Sequence, residues 1–202
     1  MPQVSFDELV AGVCSGSALI SFPTDTVPAL AACPDRADLI FEAKQRSLDK
    51  PLILMAADVS DLWEYVAGSA TERQSWQAIA NRYWPGALTL VLPASDRVPR
   101  SLNPKDPTTI GVRVPNHPIA RSILAKTGPL ATTSVNRSGQ PPLLKMAEIE
   151  SQFPQLLILN QTELNTAPES SGTPSTVVRW SGSQWETLRQ GAIVLEEIND
   201  LG

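Results

Sequence analysis

Short apolar runs bounded by proline, glycine or polar residues recur along the chain. Runs of this length, rich in Val, Ile and Leu, predict buried β-strands. The last two runs flank Ser181-Gly182-Ser183 and predict a hairpin. The predicted strands are 18–22, 52–55, 87–92, 108–115, the start of 129–142, 156–159, 175–180 and 185–189.

Longer stretches between these runs have apolar residues at helical spacing. Ser5 and Glu8 predict a capping box for the first helix, which Gly16 ends. Asp35, Thr71 and Asn116 are the expected N-caps of three later helices. The predicted helices are 5–16, 35–44, 59–66, 71–84, 116–127 and 146–153. Since strands and helices interleave, the pattern predicts an α/β or mixed α+β architecture.

The 202-residue length suits one domain or two small ones, and no internal repeat marks a boundary. We therefore expect a single domain over 1–202 with no additional C-terminal domain. The 18 prolines are spread along the chain and predict fixed turns. Polar segments 95–107 and 163–174 are expected to be loops, the first of them mobile.

Charge and cysteine content narrow the function classes. A net charge of −5 argues against wholesale nucleic-acid binding, although a local basic groove is compatible with it. Cys14 and Cys33 form no Cys-x-x-Cys pair and the chain has one histidine, which disfavours zinc. Two free thiols fit a reducing, cytoplasmic setting. No signal peptide or membrane-length apolar run is visible.

The segment 129–142 is the most suggestive stretch for binding. It begins apolar, then carries small hydroxyl and amide side chains. Thr132, Ser134 and Asn136 alternate, so on an extended chain they share one face. Open backbone N–H groups at such a strand exit bind anions. The alternative is a strand followed by an ordinary Asn/Ser/Gly turn.

Cations and hydroxyls gather at other predicted element ends. Thr24 follows the first apolar run, at a strand exit where α/β folds place ligands. Lys44, Arg46 and Lys50 lie within seven residues. They indicate either one anion site or a cationic helix C-terminus that favours the helix dipole. These two interpretations stay open.

Arg113 is unusual because it interrupts a strand of Ile and Val, on the same face as Thr109. A buried arginine normally has an anionic partner. That partner is either a protein carboxylate or a ligand carboxylate or phosphate, which the guanidinium grips with two N–H groups. His117 is expected to be a surface or capping residue and not a catalytic base.

Familiar catalytic signatures are missing from the sequence: it has no phosphate-binding Gly-x-x-x-x-Gly-Lys, no Gly-x-Gly-x-x-Gly and no Gly-x-Ser-x-Gly. Hydroxyls and cations remain as the candidate chemistry. Such a set suits a phosphorylated or zwitterionic ligand, and catalysis by positioning and charge neutralisation, as in nucleotidyl transfer. No residue is assigned as a catalytic acid or base.

Six short motifs follow one another along roughly residues 18–194. They are Phe22-Pro23-Thr24-Asp25-Thr26-Val27, Lys44-Gln45-Arg46 with Lys50-Pro51-Leu52, Pro85-Gly86-Ala87-Leu88-Thr89, Gly111-Val112-Arg113-Val114-Pro115, Ser134-Val135-Asn136 with Ser138-Gly139, and Ser175-Thr176-Val177-Val178 with Arg189-Gln190-Gly191. In this order they resemble the YrdC-like family. Lys-x-Arg together with Ser-x-Asn marks the threonylcarbamoyl-AMP synthases of that family.

The resemblance implies a twisted mixed α/β sheet flanked by helices, with a large concave binding face. It also implies that L-threonine, bicarbonate and ATP, with Mg²⁺, give threonylcarbamoyl-AMP and pyrophosphate. Other tRNA-modification proteins then pass the carbamoyl group to tRNA. By the same match, the expected ATP contacts are Lys44, Arg46, Lys50, Thr109, Ser134, Asn136 and Arg189. The expected threonine contacts are Thr24, Arg113, Thr132 and Ser175; no metal ligand is assigned.

Some positions depart from the family pattern. Pro28-Ala29 stands where Tyr-Gly is usual, Ser47 where Pro is usual, Val135 where Ala is common, and Met55 where many members have His. Met55 falls near the expected threonine site. Two alternatives to the synthase are a non-catalytic member that binds tRNA or double-stranded RNA on the concave face, and a paralogue with another substrate.

Overall fold

One mixed sheet runs through the part of the chain that the computed structural model describes, residues 3–164 and 168–194. Its ten strands lie in the order β1-β8-β2-β3-β7-β4-β6-β5-β9-β10. Their bounds are β1 Gln3–Val4, β2 Ile20–Phe22, β3 Ala29–Ala32, β4 Ile53–Met55, β5 Leu88–Pro93, β6 Thr109–Arg113, β7 Leu130–Ser134, β8 Leu157–Leu159, β9 Thr176–Trp180 and β10 Trp185–Arg189.

The sheet is mixed, with four parallel and five antiparallel pairs of neighbouring strands. The pairs β1/β8, β2/β8, β4/β6 and β5/β9 are parallel. The pairs β2/β3, β3/β7, β4/β7, β5/β6 and β9/β10 are antiparallel. The predicted mixed sheet and the C-terminal hairpin are thereby confirmed.

Helices cover the sheet on both faces. Their bounds are α1 Phe6–Cys14, α2 Ala37–Lys44, α3 Ala70–Tyr83, α4 Pro118–Thr127, α5 Met146–Gln152 and α6 Gln161–Leu164. One buried cluster joins α2, α3 and α5 to β5, β6 and β9, and a second joins α1 and α4 to β2 and β3. Within the described ranges, no helix has both the length and the apolar character needed to cross a membrane.

The strands in the middle of the sheet leave one face open. Leu88, Leu90 and Leu92 of β5 point into the first cluster, whereas Thr89 and Val91 face a cavity. Strand β6 alternates in the same way, because successive side chains of a strand point to opposite faces. This open face, next to the cluster under α1 and α4, is the concave surface that holds the candidate site.

Several local predictions were wrong. Strand β3 was not predicted, and 59–66 forms two 3₁₀ turns in place of a helix. Helix α3 is capped by Ser69 with Glu72 in place of Thr71, and helix α4 by His117 in place of Asn116. Helix α2 follows a 3₁₀ turn and has no side-chain cap at Asp35.

The polar segment 95–107 is more anchored than its composition suggests. Leu102 and Asn103 are both buried, and the Leu102 carbonyl accepts a 2.8 Å hydrogen bond from Leu52 N. Leu102 and Asn103 thus anchor a segment whose composition predicts a mobile loop. Of the second predicted loop, 163–174, residues 165–167 lie outside the described part.

Candidate active site

A cavity of about 620 Å³ opens on the uncovered face of the sheet. Its walls come from seven strands, β3, β4, β5, β6, β7, β9 and β10, and from the loops at their ends. Eight predicted site residues line it: Arg46, Thr109, Arg113, Thr132, Ser134, Asn136, Ser175 and Arg189. Lys44, Lys50 and Thr24 are not among the lining residues.

Lys44 ends α2 and lies behind the cavity wall. Its ammonium donates to the Ser134 carbonyl and to Asn136 Oδ1, the latter at 3.0 Å. Burial, helped by the nearby Arg46 and Lys50 cations, lowers the pKa of Lys44 to about 7. Lys44 therefore holds the exit of β7 in place and adds charge from behind two lining residues.

Arg46 reaches the cavity because α2 ends sharply. Gln45 adopts a left-handed conformation with φ 50°, which turns the chain out of the helix. Arg46 Nε and Nη2 then donate to the carbonyls of Lys50 and Pro51 at 2.9 and 3.0 Å. An arginine has five N–H donors, so three remain for an anion. The Lys50 side chain is exposed at the rim.

Arg113 has the protein carboxylate that its burial requires. Its Nη2 donates to Asp25 Oδ1 at 2.7 Å, and the side chain is 3% exposed. Nε donates to the Gly86 carbonyl at 3.0 Å and Nη1 to Thr26 Oγ1 at 2.9 Å. Arg113 is thus fixed by protein contacts, lines the cavity and keeps two N–H donors for a ligand.

Thr26, and not Thr24, is the hydroxyl of this loop that lines the cavity. Thr24 Oγ1 donates to the Val27 carbonyl at 2.7 Å and lies within hydrogen-bond distance of Thr26 N and Thr26 Oγ1. A hydroxyl has one donor and two acceptor positions, so that of Thr24 is fully used. Thr24 shapes the loop, while Thr26 connects it to Arg113.

The exit of β7 forms a polar network on the cavity wall. Ser134 Oγ donates to Asn136 Oδ1 at 2.6 Å, and Asn136 Nδ2 donates to the carbonyls of Arg137 and Gln140. Thr132 Oγ1 makes a longer contact of 3.4 Å to the Ile53 carbonyl. The alternating side chains thus share one wall, as their spacing predicts.

Two further hydroxyls at the cavity, those of Thr109 and Ser175, are held by neighbouring side chains, of which only Arg189 was predicted to belong to the site. Thr109 Oγ1 accepts from Asn103 Nδ2 at 3.1 Å and lies 3.3 Å from Asp106 Oδ2. Ser175 Oγ lies 2.9 Å from Thr89 Oγ1 and 3.2 Å from Arg189 Nη2. Thr89 lies 86 residues from Ser175, and the loop at 103–106 folds back onto Thr109, so the strand patterns alone do not reveal these contacts.

The cavity is cationic, with four arginines and one lysine among its lining residues: Arg46, Lys105, Arg113, Arg179 and Arg189. Hydroxyl and amide groups lie between them. Carboxylates among the lining residues are those of Asp49 and Asp106. Such a wall favours an anionic or zwitterionic ligand with several hydrogen-bonding groups. Within the described residues, no group of three His, Cys, Asp or Glu side chains is placed to hold a metal ion.

Curated relatives match most of this chain. The threonylcarbamoyl-AMP synthase of Bacillus subtilis is 33% identical over 204 residues, covering 98% of this chain and 56% of the relative. That of Vibrio campbellii is 35% identical over 159 residues, covering 76% and 84%. The chain thus spans about half the length of the first of these relatives and most of the second.

Solved structures share the fold. Pyrococcus abyssi Sua5 complexed with L-threonine has a TM-score of 0.83 and 32% identity, over 97% of this chain and 56% of that one. Escherichia coli YciO has a TM-score of 0.79 and 25% identity, over 96% and 92%. The profile of the Sua5/YciO/YrdC family, described as "Telomere recombination", matches residues 13–191. The chain therefore belongs to the Sua5/YciO/YrdC family.

Proposed function

We propose that this chain is an L-threonylcarbamoyladenylate synthase, which joins L-threonine, bicarbonate and ATP and releases pyrophosphate. The observation that carries the proposal is the single cavity in which Arg46, Arg113 and Arg189 converge with hydroxyl and amide groups. A nucleotide triphosphate and an amino-acid carboxylate both require such cations. Named relatives with this activity support the same conclusion.

The residues divide between the two substrates along the cavity. Arg46, Thr109, Ser134, Asn136 and Arg189 are proposed to bind ATP. Lys44 and Lys50 add positive charge from behind and from the rim. Arg113, Thr132 and Ser175 are proposed to bind threonine, with Thr26 supplying the hydroxyl at the loop where Thr24 is already satisfied.

The proposed reaction has two steps. The threonine amine forms an N–C bond to the carbon of bicarbonate, and water leaves, which gives a carbamate. A carbamate oxygen then attacks the α-phosphorus of ATP, and the bond to the β-phosphate oxygen breaks, releasing pyrophosphate. The guanidinium groups hold the reactants together and offset the charge on the phosphates. No side chain is assigned as a general base.

Mg²⁺ fits this site as a companion of ATP. Among the described lining residues, Asp106 already accepts from Thr108 and Thr109, and Asp49 is exposed at the rim. Magnesium commonly binds through one or two carboxylates plus substrate phosphates. When bound there, the ion would neutralise phosphate charge; the protein residues would orient the triphosphate.

Threonylcarbamoyl-AMP is proposed to serve threonylcarbamoyladenosine modification of tRNA with other tRNA-modification proteins, in the cytoplasm. Two unpaired cysteines, Cys14 and Cys33, suit a reducing compartment. Direct binding of tRNA or double-stranded RNA would use the same concave face.

A pyrophosphate-release assay tests the proposal. Purified protein receives Mg²⁺-ATP, L-threonine and bicarbonate, and parallel reactions omit threonine or bicarbonate. We expect release only in the complete mixture, and adenylate product by mass spectrometry. Arg46→Ala should reduce release strongly, whereas Arg97→Ala, an exposed arginine paired with Glu64, should not. Nucleotide binding without threonine-dependent release would contradict the synthase.

A further inference from the structure

Thr89 lies in the cavity wall but has no role in the proposed reaction. It belongs to β5 and is 1% exposed. Its hydroxyl lies 2.9 Å from that of Ser175, and within the described residues this is its one side-chain hydrogen bond. The register is fixed, because β5 and β9 are parallel neighbours with Leu88 opposite Thr176.

Arg189 approaches the same serine from the next strand. Its Nε and Nη2 donate to the Ser175 carbonyl at 3.1 and 2.8 Å, and Nη2 also lies 3.2 Å from Ser175 Oγ. A guanidinium has donors and no acceptor. Ser175 Oγ must therefore accept from Arg189. The Ser175 hydroxyl then has one lone pair and one proton whose partners are still to be identified.

Two arrangements of the hydroxyl protons are available. If Ser175 donates to Thr89, the Thr89 proton has no acceptor among the described residues, and Thr89, at 1% exposure against 4% for Ser175, is the less open of the two to the cavity that both line. A buried donor without a partner is unfavourable. If Thr89 donates to Ser175, both lone pairs of Ser175 are filled and Thr89 is satisfied. The Ser175 proton then points to the cavity that Ser175 lines.

We propose that Thr89 is a positioning residue that directs the hydroxyl proton of Ser175 into the cavity, so that Ser175 donates to an anionic oxygen of a substrate. This inference rests on the proposed function for the identity of that oxygen. A threonine carboxylate and a nucleotide phosphate share the required chemistry. The threonine ammonium does not, because it has only donors.

Thr89→Val tests this arrangement, since valine keeps the β-branched shape and removes the hydroxyl. We expect kcat/KM for pyrophosphate release to fall about tenfold, the scale of one hydrogen bond to a charged group. Thr89→Ser should restore most of the activity because it keeps the donor. Thr187→Val, an exposed threonine of β10 outside the cavity lining, is the matched control and should match the wild type.

A double-mutant cycle separates positioning from a structural role. In a Ser175→Ala background, Thr89→Val should have almost no further effect, because the group it orients is gone. An undiminished effect in that background, or full activity of Thr89→Val alone, overturns the proposal. The KM values of Thr89→Val for threonine and for ATP identify the oxygen that accepts from Ser175. A higher KM for threonine indicates its carboxylate, and a higher KM for ATP indicates a phosphate.

Binding measurements keep this test independent of turnover. Calorimetric titrations of ATP and of L-threonine into the same variants give binding affinities. These affinities measure the coupling between Thr89 and Ser175 in the absence of turnover. If the wild type binds a ligand and releases no pyrophosphate, the proposed function fails while the role of Thr89 is still decided. Equal affinities of wild type and Thr89→Val for both ligands would overturn the inference alone.

Discussion

At the scale of single residues, the site depends on guanidinium groups that are fixed before any ligand arrives. Arg113 contacts Asp25, Thr26 and Gly86, each through a different N–H group. Its geometry is thus set by protein acceptors that lie in three directions. Pre-positioned donors of this kind need little rearrangement when an anion binds.

Arg113→Lys should be nearly as harmful as Arg113→Ala. A lysine has one nitrogen at the end of a flexible stem and cannot meet three separated acceptors and a carboxylate. Losing one hydrogen bond to a charged group costs about 1.5–3 kcal/mol, so kcat/KM for threonine should fall at least tenfold in both variants. Pyrophosphate release measures this, with Arg97→Lys as control. Full activity of Arg113→Lys would refute the proposal that Arg113 binds the threonine carboxylate through two N–H groups.

Lys44 makes stability depend on pH. Its pKa is lowered to about 7 in the folded protein, against 10.5 ordinarily. Between pH 7 and 10.5, Lys44 holds its proton in the unfolded chain more than in the folded protein. The free energy of unfolding therefore rises as pH increases and decreases as pH falls towards 7. Urea unfolding at pH 7, 8 and 9 should show a rise in the wild type that Lys44→Met lacks, at most about 1.4 kcal/mol per pH unit. Parallel curves for the two proteins would rule out this shift.

At the scale of elements, strand positions were predictable because each strand is a short apolar run. Strand β3, Ala29–Ala32, was missed because alanine has low strand propensity, and its pairing with β2 and β7 decides its structure. The capping serine of α3 lies two residues before the predicted Thr71, since Ser69 and Glu72 complete the box. Caps depend on local geometry that spacing does not specify.

The candidate site was only partly predictable for a related reason. Alternation along a strand correctly put Thr132 and Ser134 on one wall. It did not indicate which hydroxyl of the 24–26 loop faces the cavity, because that depends on hydrogen bonds to Val27 and Arg113. The contact between Thr89 and Ser175 joins strands whose proximity only the fold determines, and that between Asn103 and Thr109 depends on how segment 103–109 turns.

Gly191 locks the end of β10 against the start of β9. A Cβ atom there would lie 2.3 Å from the Pro174 carbonyl oxygen and 2.5 Å from that of Ser175. Gly191→Ala should therefore displace Ser175 and reduce pyrophosphate release as well as thermal stability. Gly128→Ala, at φ 74° with open space around it, should lower only stability. Loss of stability without loss of specific activity in Gly191→Ala would show that Ser175 stays in place.

At the scale of the whole molecule, seven strands contribute residues to the cavity, and its polar groups are expected to set the amino-acid preference. A site that hydrogen-bonds a substrate hydroxyl rejects analogues without one, because its own polar groups are left unpaired. Thr26 and Thr132 are the hydroxyls proposed to meet the substrate hydroxyl, while Ser175 is proposed to donate to an anionic oxygen.

Threonine should therefore be preferred over valine and 2-aminobutyrate, with serine intermediate because it keeps the hydroxyl and lacks the methyl group. Competition assays under one set of conditions, read as kcat/KM for pyrophosphate release, give the order directly. The Thr26→Val variant should narrow the gap between threonine and valine. Equal rates with the two amino acids in the wild type would remove these hydroxyls from substrate recognition.

Three hydrogen bonds described above join residues far apart along the chain: Thr89 to Ser175, Asp25 to Arg113 and Lys44 to Asn136. They close loops of 86, 88 and 92 residues. Contacts between such distant residues form late and make folding slower. The entropy cost of closing the loop is incurred before the contact contributes any favourable free energy. During synthesis on the ribosome, a nascent chain that has not yet reached Ser175 and Arg189 lacks part of the cavity wall. Substrate binding can therefore stabilise only the completely folded chain, and it favours complete molecules over partly folded ones.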